Sequence, residues 1–308
     1  MSERDYAMLV SRSHPARKAA ILAKSASRAA LTTHKDGLLL VHRLVLLAPF
    51  PGIDPPPRID AYDLDDALSV GSPAEGNRPF QWLKREAQRA TASMRRARLV
   101  IAGNSFLAAH ARELNANVEV IPSCVDPSEQ ALHVHGERDI ATIGWIGSHT
   151  TVPYLQPVLP VIARLNETRV LARLVVVGGD TGLREPWIEH RPWSLQRQSD
   201  DLAGFDVGIM PLPDTDWARG KSGYKLLQYF AAGVPAVASP VGVNAELVSD
   251  DRGLLASSTQ EWEHTLTAML RDAEGRRASG AAARQFVERE YSYQRWAPEL
   301  AALLRSLA

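Results

Sequence analysis

Cysteine, long apolar runs and net charge are all scarce in this chain of 308 residues. Its single cysteine, Cys124, excludes an intramolecular disulfide and a cysteine-rich metal site, and it suits a reducing cytoplasm. The longest apolar run, residues 38–48, is interrupted by His42 and Arg43 and is too short to span a bilayer. No signal peptide is expected before the first helix-like segment. The formal net charge of zero does not indicate nucleic acid as a partner.

Several common site motifs are missing as well. Gly220-Lys221-Ser222 looks like the end of a P-loop, but Thr215 stands where that motif needs a glycine. The stretch from Gly144 to Gly147 lacks the G-x-G-x-x-G spacing, so a nicotinamide dinucleotide enzyme is poorly supported. His133 and His135 lie without cysteine or carboxylate partners, which makes a metal site there improbable. Neither an HExxH motif nor a Ser/His/Asp nucleophile arrangement can be read.

Composition indicates a soluble globular protein, with 45% hydrophobic and 23% charged residues and enough chain for two domains. Positive charge is nevertheless concentrated in residues 1–35 and 79–98. Such basic helices either lie on an anionic membrane surface or form ordinary solvated faces.

Short apolar segments alternate with amphipathic ones, which predicts an α/β protein with two parallel sheets. Strands are expected at 37–44, 58–67, 99–103, 118–125, 140–147, 173–177, 205–210 and 236–239. Helices are expected at 7–33, 79–97, 105–115, 154–166, 195–203, after Gly220, and at 259–273, 275–290 and 293–307. Polar residues 126–139 predict a linker. The expected domains are residues 1–130 and 138–290, with a terminal helix, 291–308, crossing back to the first.

Polar and glycine residues follow the predicted strands in both halves of the chain. Ligands of open parallel sheets bind beyond the carboxyl ends of the strands, so these residues predict a cleft between two facing domains. In the first half they are His42-Arg43, Asp63, Asp65, Asp66, Asn104-Ser105 and Ser123, and in the second half Gly147 to His149, Gly178 to Asp180, Pro211 to Asp214 and Ser239 to Gly242.

The stretch from Gly220 to Val248 predicts an anion site. A helix that begins near Lys221 would offer free backbone N–H groups, a favourable dipole end and a cation to a phosphate. Lys221, Lys225 and Gln228 are spaced by four and three residues, so they share one helical face. The alternative is a capped surface helix with solvated lysines.

Two further groups have both a functional and a structural interpretation. Asp63, Asp65 and Asp66 could bind Mg²⁺, but the ligand set is thin, which favours helix-capping and cleft-wall roles. His42 is either a base or sugar-contacting group or a structural residue at the end of a strand.

Several stretches of the chain resemble group 1 glycosyltransferases of the GT-B fold, in the family's order over residues 36–300. The longest is KSGYKLLQYFAAGVPAVASPVGVNAELV (221–248), followed by GLLA (253–256) and Glu261-Trp262. The others are YDLDDAL (62–68), VIAGNSFLA (100–108), VIPSCVD (120–126), IGWIGS (143–148) and FDVGIMPLP (205–213).

The resemblance implies two Rossmann-like domains that face each other across a cleft. It places a nucleotide-sugar donor on the second domain and the acceptor on the first, with Gln228 where the family has a ribose-binding glutamate. The catalytic residues implied are Lys221, Lys225 and His42. The donor-binding residues implied are Gly147, Ser148, His149, Ser222, Gly223, Gln228, Gly242, Val243, Asn244 and Glu246. The acceptor-side residues implied are Arg43, Asp65, Asp66 and Asn104.

Three departures from the family pattern stand out. Gly220 and Gln228 replace a pair of glutamates eight positions apart, so the ribose contact would carry no charge. The residues from Ser148 to Thr151 replace an Arg/Lys pair, whose charge Lys221 and Lys225 would supply. The family's first strand should precede residue 36, so the first domain is expected to be truncated at its N-terminus.

The function expected is that of a glycosyltransferase that moves a sugar from a nucleotide-activated donor to an acceptor hydroxyl; the resembled family is a retaining one, but the sequence leaves the anomeric outcome open. The acceptor would be a glycan, a lipid-linked molecule or a small molecule, and neither a metal nor another cofactor is expected. The expected location is the cytoplasm, with the inner face of the membrane as the alternative setting. One alternative is a catalytically weak scaffold that binds a nucleotide sugar or a partner subunit; a weaker one is an NAD-dependent oxidoreductase.

Overall fold

A computed structural model of the chain describes residues 37–42, 59–70, 86–168 and 172–308. Contacts divide the chain into two units, residues 1–121 with 301–308, and residues 122–300. The expected helix at 7–33, the basic residues before position 36 and Arg43 lie outside the described residues.

The first unit contains a parallel sheet of four strands in the order β1-β2-β3-β4. The strands are β1 (Leu40–His42), β2 (Ile59–Leu64), β3 (Ala97–Ala102) and β4 (Val118–Val120), and the helices are α1 (Glu86–Arg96) and α2 (Ser105–Arg112). Asp60, which is fully buried, accepts hydrogen bonds from the Leu39 backbone and from Arg98. Arg98 also donates to the Leu307 carbonyl at 2.6 Å, so this basic side chain has a structural role.

The second unit contains a six-stranded parallel sheet in the order β10-β9-β8-β5-β6-β7. Its strands are β5 (Ala141–Ile146), β6 (Ala172–Val177), β7 (Ile188–Arg191), β8 (Val207–Met210), β9 (Ala236–Ala238) and β10 (Gly253–Leu255). Its helices are α3 (Leu159–Glu167), α4 (Leu195–Ala203), α5 (Asp216–Arg219), α6 (Tyr224–Ala231), α7 (Asn244–Leu247), α8 (Thr259–Arg271) and α9 (Ala273–Glu290). A last helix, α10 (Tyr293–Arg305), runs from the second unit into residues assigned to the first.

The predicted alternation of strands and helices is confirmed, with local differences. Asn104, not Ser105, caps α2, because its side-chain oxygen accepts the Leu107 N–H at 2.8 Å. The helix expected at 154–166 is a short 3-10 turn followed by α3, because Pro157 and Pro160 lack the backbone donors of a continuous helix. Strands β7 and β10 were not predicted.

The segment predicted as a linker, residues 126–139, is instead packed within the second unit. The His133 backbone N–H donates to the Ala232 carbonyl at 2.8 Å, and its ring lies 3.3 Å from Asp206 with both side chains fully buried. His133 and His135 point inward while the intervening Val134 is exposed. Extended backbone produces this alternation, which polar composition alone conceals.

Paired glycines make room for two large rings in the second unit. Gly144 of β5 lies opposite Gly208 of β8, and a Cβ at these positions would meet the rings of Phe205 and Tyr229, respectively. Both rings are fully buried and pack edge to face, with centroids 6.1 Å apart. The two glycines therefore let helix α6, which carries Tyr229, lie close against the sheet.

Candidate functional site

The strand order of the second sheet changes direction between β5 and β8. Strands β6 and β7 are added on one side of β5, and the chain then returns to add β8, β9 and β10 on the other side. The β5–β8 ladder pairs Ile143 with Val207 and Gly144 with Gly208. Beyond these pairs, the Tyr229 hydroxyl accepts the Ile146 N–H and donates to the Ile209 carbonyl, each at 3.2 Å. A side chain thus bridges the strands at the point where open α/β sheets bind their ligands.

Trp145 forms a buried floor at this edge of the sheet. Its side chain is only 1% exposed, and a Cβ at Gly147 would lie 2.6 Å from its ring. A Cβ at Gly179 would lie 3.1 Å from the same ring, so glycines allow both loops to close over the indole. Gly147 is a predicted site residue that the structure places at this edge, directly after β5.

Helix α6 begins at Tyr224, one turn later than the lysine pattern suggested. Gly223 precedes it with φ of 68°, and a Cβ there would meet Leu247 and lie 3.0 Å from Val243. This left-handed conformation favours glycine, and no side chain caps the helix. Lys221 therefore precedes the helix, and its N–H closes a turn on the Ala218 carbonyl.

A second glycine turn packs against the segment before α6. Gly242 has φ of 56°, and a Cβ there would lie 2.5 Å from the Arg219 carbonyl oxygen. In the same turn Asn244 is 1% exposed, and its amide donates to the Ser239 carbonyl at 3.2 Å. The Asn244 side-chain oxygen is buried without a hydrogen-bond partner among the described residues.

Two lysines are held close together at the start of α6. Lys225 Nζ lies 5.4 Å from the centre of the Trp145 ring, and Lys221 Nζ lies 5.2 Å from that of Trp217. Burial, together with the charge of Lys221, lowers the pKa of Lys225 to about 8. No carboxylate of the described residues forms an ion pair with Lys225, so an anion would relieve this repulsion.

Gln228 lies one turn into α6 from Lys225 and is 7% exposed. Its side-chain amide makes no hydrogen bond with the described residues, so it retains donor and acceptor capacity for a ligand. The spacing of three residues puts Lys225 and Gln228 on one side of the helix, whereas the predicted alignment of Lys221 on that helical face is wrong.

The other residues predicted for the second domain differ in exposure. Ser148 and His149 are exposed on the turn after β5, and the Ser148 hydroxyl lies 2.7 Å from that of Thr150. Ser222 is partly buried next to Gly223, Val243 is buried, and Glu246 is exposed on the short helix α7.

In the first unit, the residues expected on the acceptor side follow β1, β2 and β3. His42 Nδ1 lies 2.9 Å from Asp63 Oδ2, and the His42 side chain is 52% exposed. Asp65 and Asp66 are partly buried after β2. Asn104 is 4% exposed and is occupied as the cap of α2, so its side-chain oxygen has a structural partner.

Sequence reasoning missed three aromatic residues at the second sheet's edge. Trp145 and Tyr229 could not be identified from the sequence. An apolar residue in a strand or on a helix face has the same sequence pattern whether it supports a binding site or only packs in the core. Trp193 follows the unpredicted strand β7; it is 51% exposed, and a Cβ at Gly178 would lie 3.1 Å from its Cβ. Because β7 was not predicted, the sequence offered no signal that placed Trp193 after a strand.

Residues 37–42, 59–70, 86–168 and 172–308 contain no group of three or more His, Cys, Asp or Glu residues arranged to hold a metal ion. Within the same ranges, no helix has the length and apolar character needed to cross a membrane.

Comparisons with known proteins bear on the fold, and a family model matches part of the second unit. A family described as "Glycosyl transferase-like" matches residues 209–302, which include α6 and both glycine turns. No curated protein matches the chain in sequence.

Solved structures resemble the chain over nearly its whole length. Sucrose-phosphate synthase from Thermosynechococcus elongatus has a TM-score of 0.71 at 14% identity, covering 96% of this chain and 80% of that one. WaaG, a glycosyltransferase of lipopolysaccharide biosynthesis, has a TM-score of 0.66 at 17% identity, with coverages of 95% and 83%. Anabaena HepE, in complex with UDP and glucose, has a TM-score of 0.64 at 14% identity, with coverages of 96% and 83%. The predicted GT-B fold is confirmed.

Proposed function

We propose that this chain, a GT-B protein of the glycosyltransferase class, transfers a sugar from a nucleoside diphosphate donor to an acceptor hydroxyl. The donor diphosphate would bind at the start of α6, between Lys225, the backbone around Gly223 and the Gly242 turn. The observation that carries the proposal is the partly buried Lys225, held next to Lys221 with no described carboxylate to neutralise it.

The diphosphate would use the backbone as well as the lysines. The first N–H groups of α6 have no side-chain cap, and a helix N-terminus attracts anions through these donors and through the helix dipole. When the bond to the sugar breaks, negative charge develops on the departing diphosphate. Positive and N–H groups fixed in place before that moment stabilise the transition state most effectively.

The rest of the donor would extend along the carboxyl edge of the second sheet. Gln228, with an unused amide, suits hydrogen bonds to the ribose hydroxyls. The exposed indole of Trp193 next to Gly178 offers a flat surface on which a base can stack. The likeness to HepE, whose structures contain UDP or UDP-glucose, supports a nucleotide sugar as the donor.

The acceptor would bind the first unit, where the His42–Asp63 pair provides a possible proton acceptor. Asp63 accepts a hydrogen bond from Nδ1 of His42, which orients the ring and leaves the other nitrogen for a hydroxyl group. Asp65 and Asp66 would form part of the wall for a glycan, lipid-linked or small-molecule acceptor. We propose that transfer needs neither a metal nor a further cofactor.

The expected setting is the cytoplasm, with contact to an inner membrane surface through the basic N-terminal half as a further proposal. Neither the scaffold alternative nor the oxidoreductase alternative is favoured by the comparisons.

Calorimetric titration with a panel of nucleotide sugars tests the donor assignment. One nucleotide sugar should bind saturably and raise the thermal unfolding temperature, since a ligand of the native state stabilises it. The same sugar added without its nucleotide is the control and should not bind. The proposal is wrong if no nucleotide sugar binds, or if nicotinamide dinucleotide binds instead.

Donor binding should weaken as the pH rises above about 8. The diphosphate favours the protonated Lys225, and above its pKa of about 8 the free protein must take up a proton to bind. The limiting slope is about a tenfold loss of affinity per pH unit. Titration calorimetry between pH 6.5 and 9.5, in buffers of different ionisation enthalpy, measures both the affinity and the proton uptake. Lys225→Arg should flatten the profile, because arginine keeps its charge; an unchanged profile in that variant contradicts the assignment.

Replacing Gln228 by leucine should remove discrimination by the ribose hydroxyls. Wild-type protein should bind the ribonucleotide donor more tightly than its 2′-deoxy form by about 1–1.5 kcal/mol, the net value of a typical hydrogen bond. In Gln228→Leu that difference should disappear, which a double-mutant cycle of four titrations measures. If the deoxy penalty persists in the variant, Gln228 does not contact the ribose.

A further inference from the structure

The connection between β6 and β7 contains no helix. Residues 178–187 join these neighbouring parallel strands and are described throughout, without a helical segment. Parallel neighbours need a crossover, which is usually a dozen or more residues long and contains an α-helix. The second sheet therefore lacks one of the helices that ordinarily cover its face.

The position of the missing helix follows from handedness. Crossovers between parallel strands are almost always right-handed. The steps from β5 to β6 and from β6 to β7 move in the same direction across the sheet, so both connections lie on the same face. Helix α3 is the crossover helix between β5 and β6. The part of the face that a helix between β6 and β7 would cover lies next to α3.

An open groove occupies this place, with a volume of about 620 Å³. Helix α3 contributes Pro160, Ala163 and Glu167, whose spacing of three and four residues puts them along one side of the helix. The opposite side of α3 is buried in the core through Val161, Ile162 and Leu165 among others.

The connection itself forms the other wall of the groove through Leu183, Glu185 and Trp187. Leu183 is 39% exposed, and Trp187 is partly buried and packs against the core cluster under the sheet. The groove is thus lined by apolar residues (Leu159, Pro160, Ala163, Leu183 and Trp187) together with polar and acidic ones, a combination that suits an amphipathic helix.

The charged residues that line the groove, among those that the structure describes, are both acidic. Glu167 and Glu185 are exposed, and neither forms an ion pair with a described residue. Two described arginines close to them in sequence are already paired: Arg184 binds both oxygens of Asp180 at 2.8 Å, and Arg164 binds Glu263 at 2.8 Å. A complementary partner therefore carries positive charge next to an apolar face.

We propose that this groove binds an amphipathic helix of a partner protein, with lysine or arginine residues placed to meet Glu167 and Glu185. The partner helix would take the place of the absent crossover helix. This surface is separate from the donor site, so its occupation is independent of the proposed transfer reaction.

A fluorescent peptide tests the proposal with the full chain. The probe is a helix of about four turns made of leucine and lysine with one apolar face; the control has the same composition in an order without that face. The amphipathic peptide should bind saturably in an anisotropy titration.

Variants of the groove test the contact. Glu167→Lys combined with Glu185→Lys should weaken binding of the amphipathic peptide at least about tenfold, and so should Ala163→Arg, which fills the groove. Glu137→Lys, at an exposed site elsewhere in the second unit, should have no effect.

Photo-crosslinking of the same peptide locates the contact, and circular dichroism shows that each variant is folded. Cross-links in residues 156–167 and 183–187 support the proposal. It is overturned by equal binding of the control peptide, by equal weakening in Glu137→Lys, or by cross-links elsewhere. Self-association of the chain that Ala163→Arg abolishes would likewise overturn it, because the occupant would then be a second copy.

Discussion

Lys225→Met should slow sugar transfer by a factor of about 100–1,000 while making the donor-free protein more stable. The loss corresponds to about 2.7–4 kcal/mol, which is typical when one group that stabilises developing negative charge is removed. The stability gain has a separate cause. Burial and Lys221 lower the pKa of Lys225 from 10.5 to about 8, so the charge costs the folded protein roughly 3 kcal/mol at neutral pH. The contact with the Trp145 ring returns about 0.5–2 kcal/mol, which leaves a net gain of about 1–2.5 kcal/mol.

The pH dependence of this gain provides its control. The folded pKa of Lys225 is below the unfolded value, so the unfolded chain binds more protons between pH 8 and 10.5. The free energy of unfolding of the wild type should therefore rise relative to that of Lys225→Met between pH 8 and 10.5. Above pH 10.5 the variant should no longer be the more stable protein. Urea unfolding at pH 7 and at pH 10.5 measures both values. A variant that is less stable at pH 7, or that transfers sugar at the wild-type rate, contradicts the role given to Lys225.

Tyr229→Phe should destabilise the protein by about 2–6 kcal/mol and weaken donor binding as well. Its hydroxyl accepts the Ile146 N–H and donates to the Ile209 carbonyl between β5 and β8. Without it, two buried backbone groups lose a partner, and each such loss costs about 1–3 kcal/mol. Since Ile146 immediately precedes Gly147, a displaced strand end would also move the loop over Trp145. Chemical unfolding and donor titration measure the two effects.

Tyr154→Phe is the matched control, because it removes the same atom from a partly buried tyrosine that makes no hydrogen bond within the described residues. It should change the free energy of unfolding by less than about 0.5 kcal/mol. Equal destabilisation by the two substitutions would show that the bridge between the strands contributes nothing of its own.

The sequence was most informative where local rules determine the structure. The order of strands and helices follows from apolar runs and helical spacing, and the GT-B fold follows from motifs that lie in the family's order. The closeness of Lys225 and Gln228 on α6 also follows from spacing alone. Lys221 was misplaced because Gly223 adopts a left-handed conformation, which delays the start of the helix.

What remained hidden depends on contacts between distant residues. Residues 126–139 were predicted to be a linker because they are polar, yet His133 is paired with Asp206 across 73 sequence positions inside the second unit. The bridge made by Tyr229 depends on the spacing of two strands, which no single segment specifies. Strand β7 is short, polar and at the sheet edge, so neither composition nor alternation indicated it.

A crystal structure of the chain with a bound nucleoside diphosphate is the most direct test of the central claim. We expect the diphosphate to lie at the start of α6, with a phosphate oxygen about 2.7–3.2 Å from Lys225 Nζ and from a backbone N–H next to Gly223. A nucleotide bound elsewhere, or one whose phosphates point away from α6, would show that α6 is not the donor site.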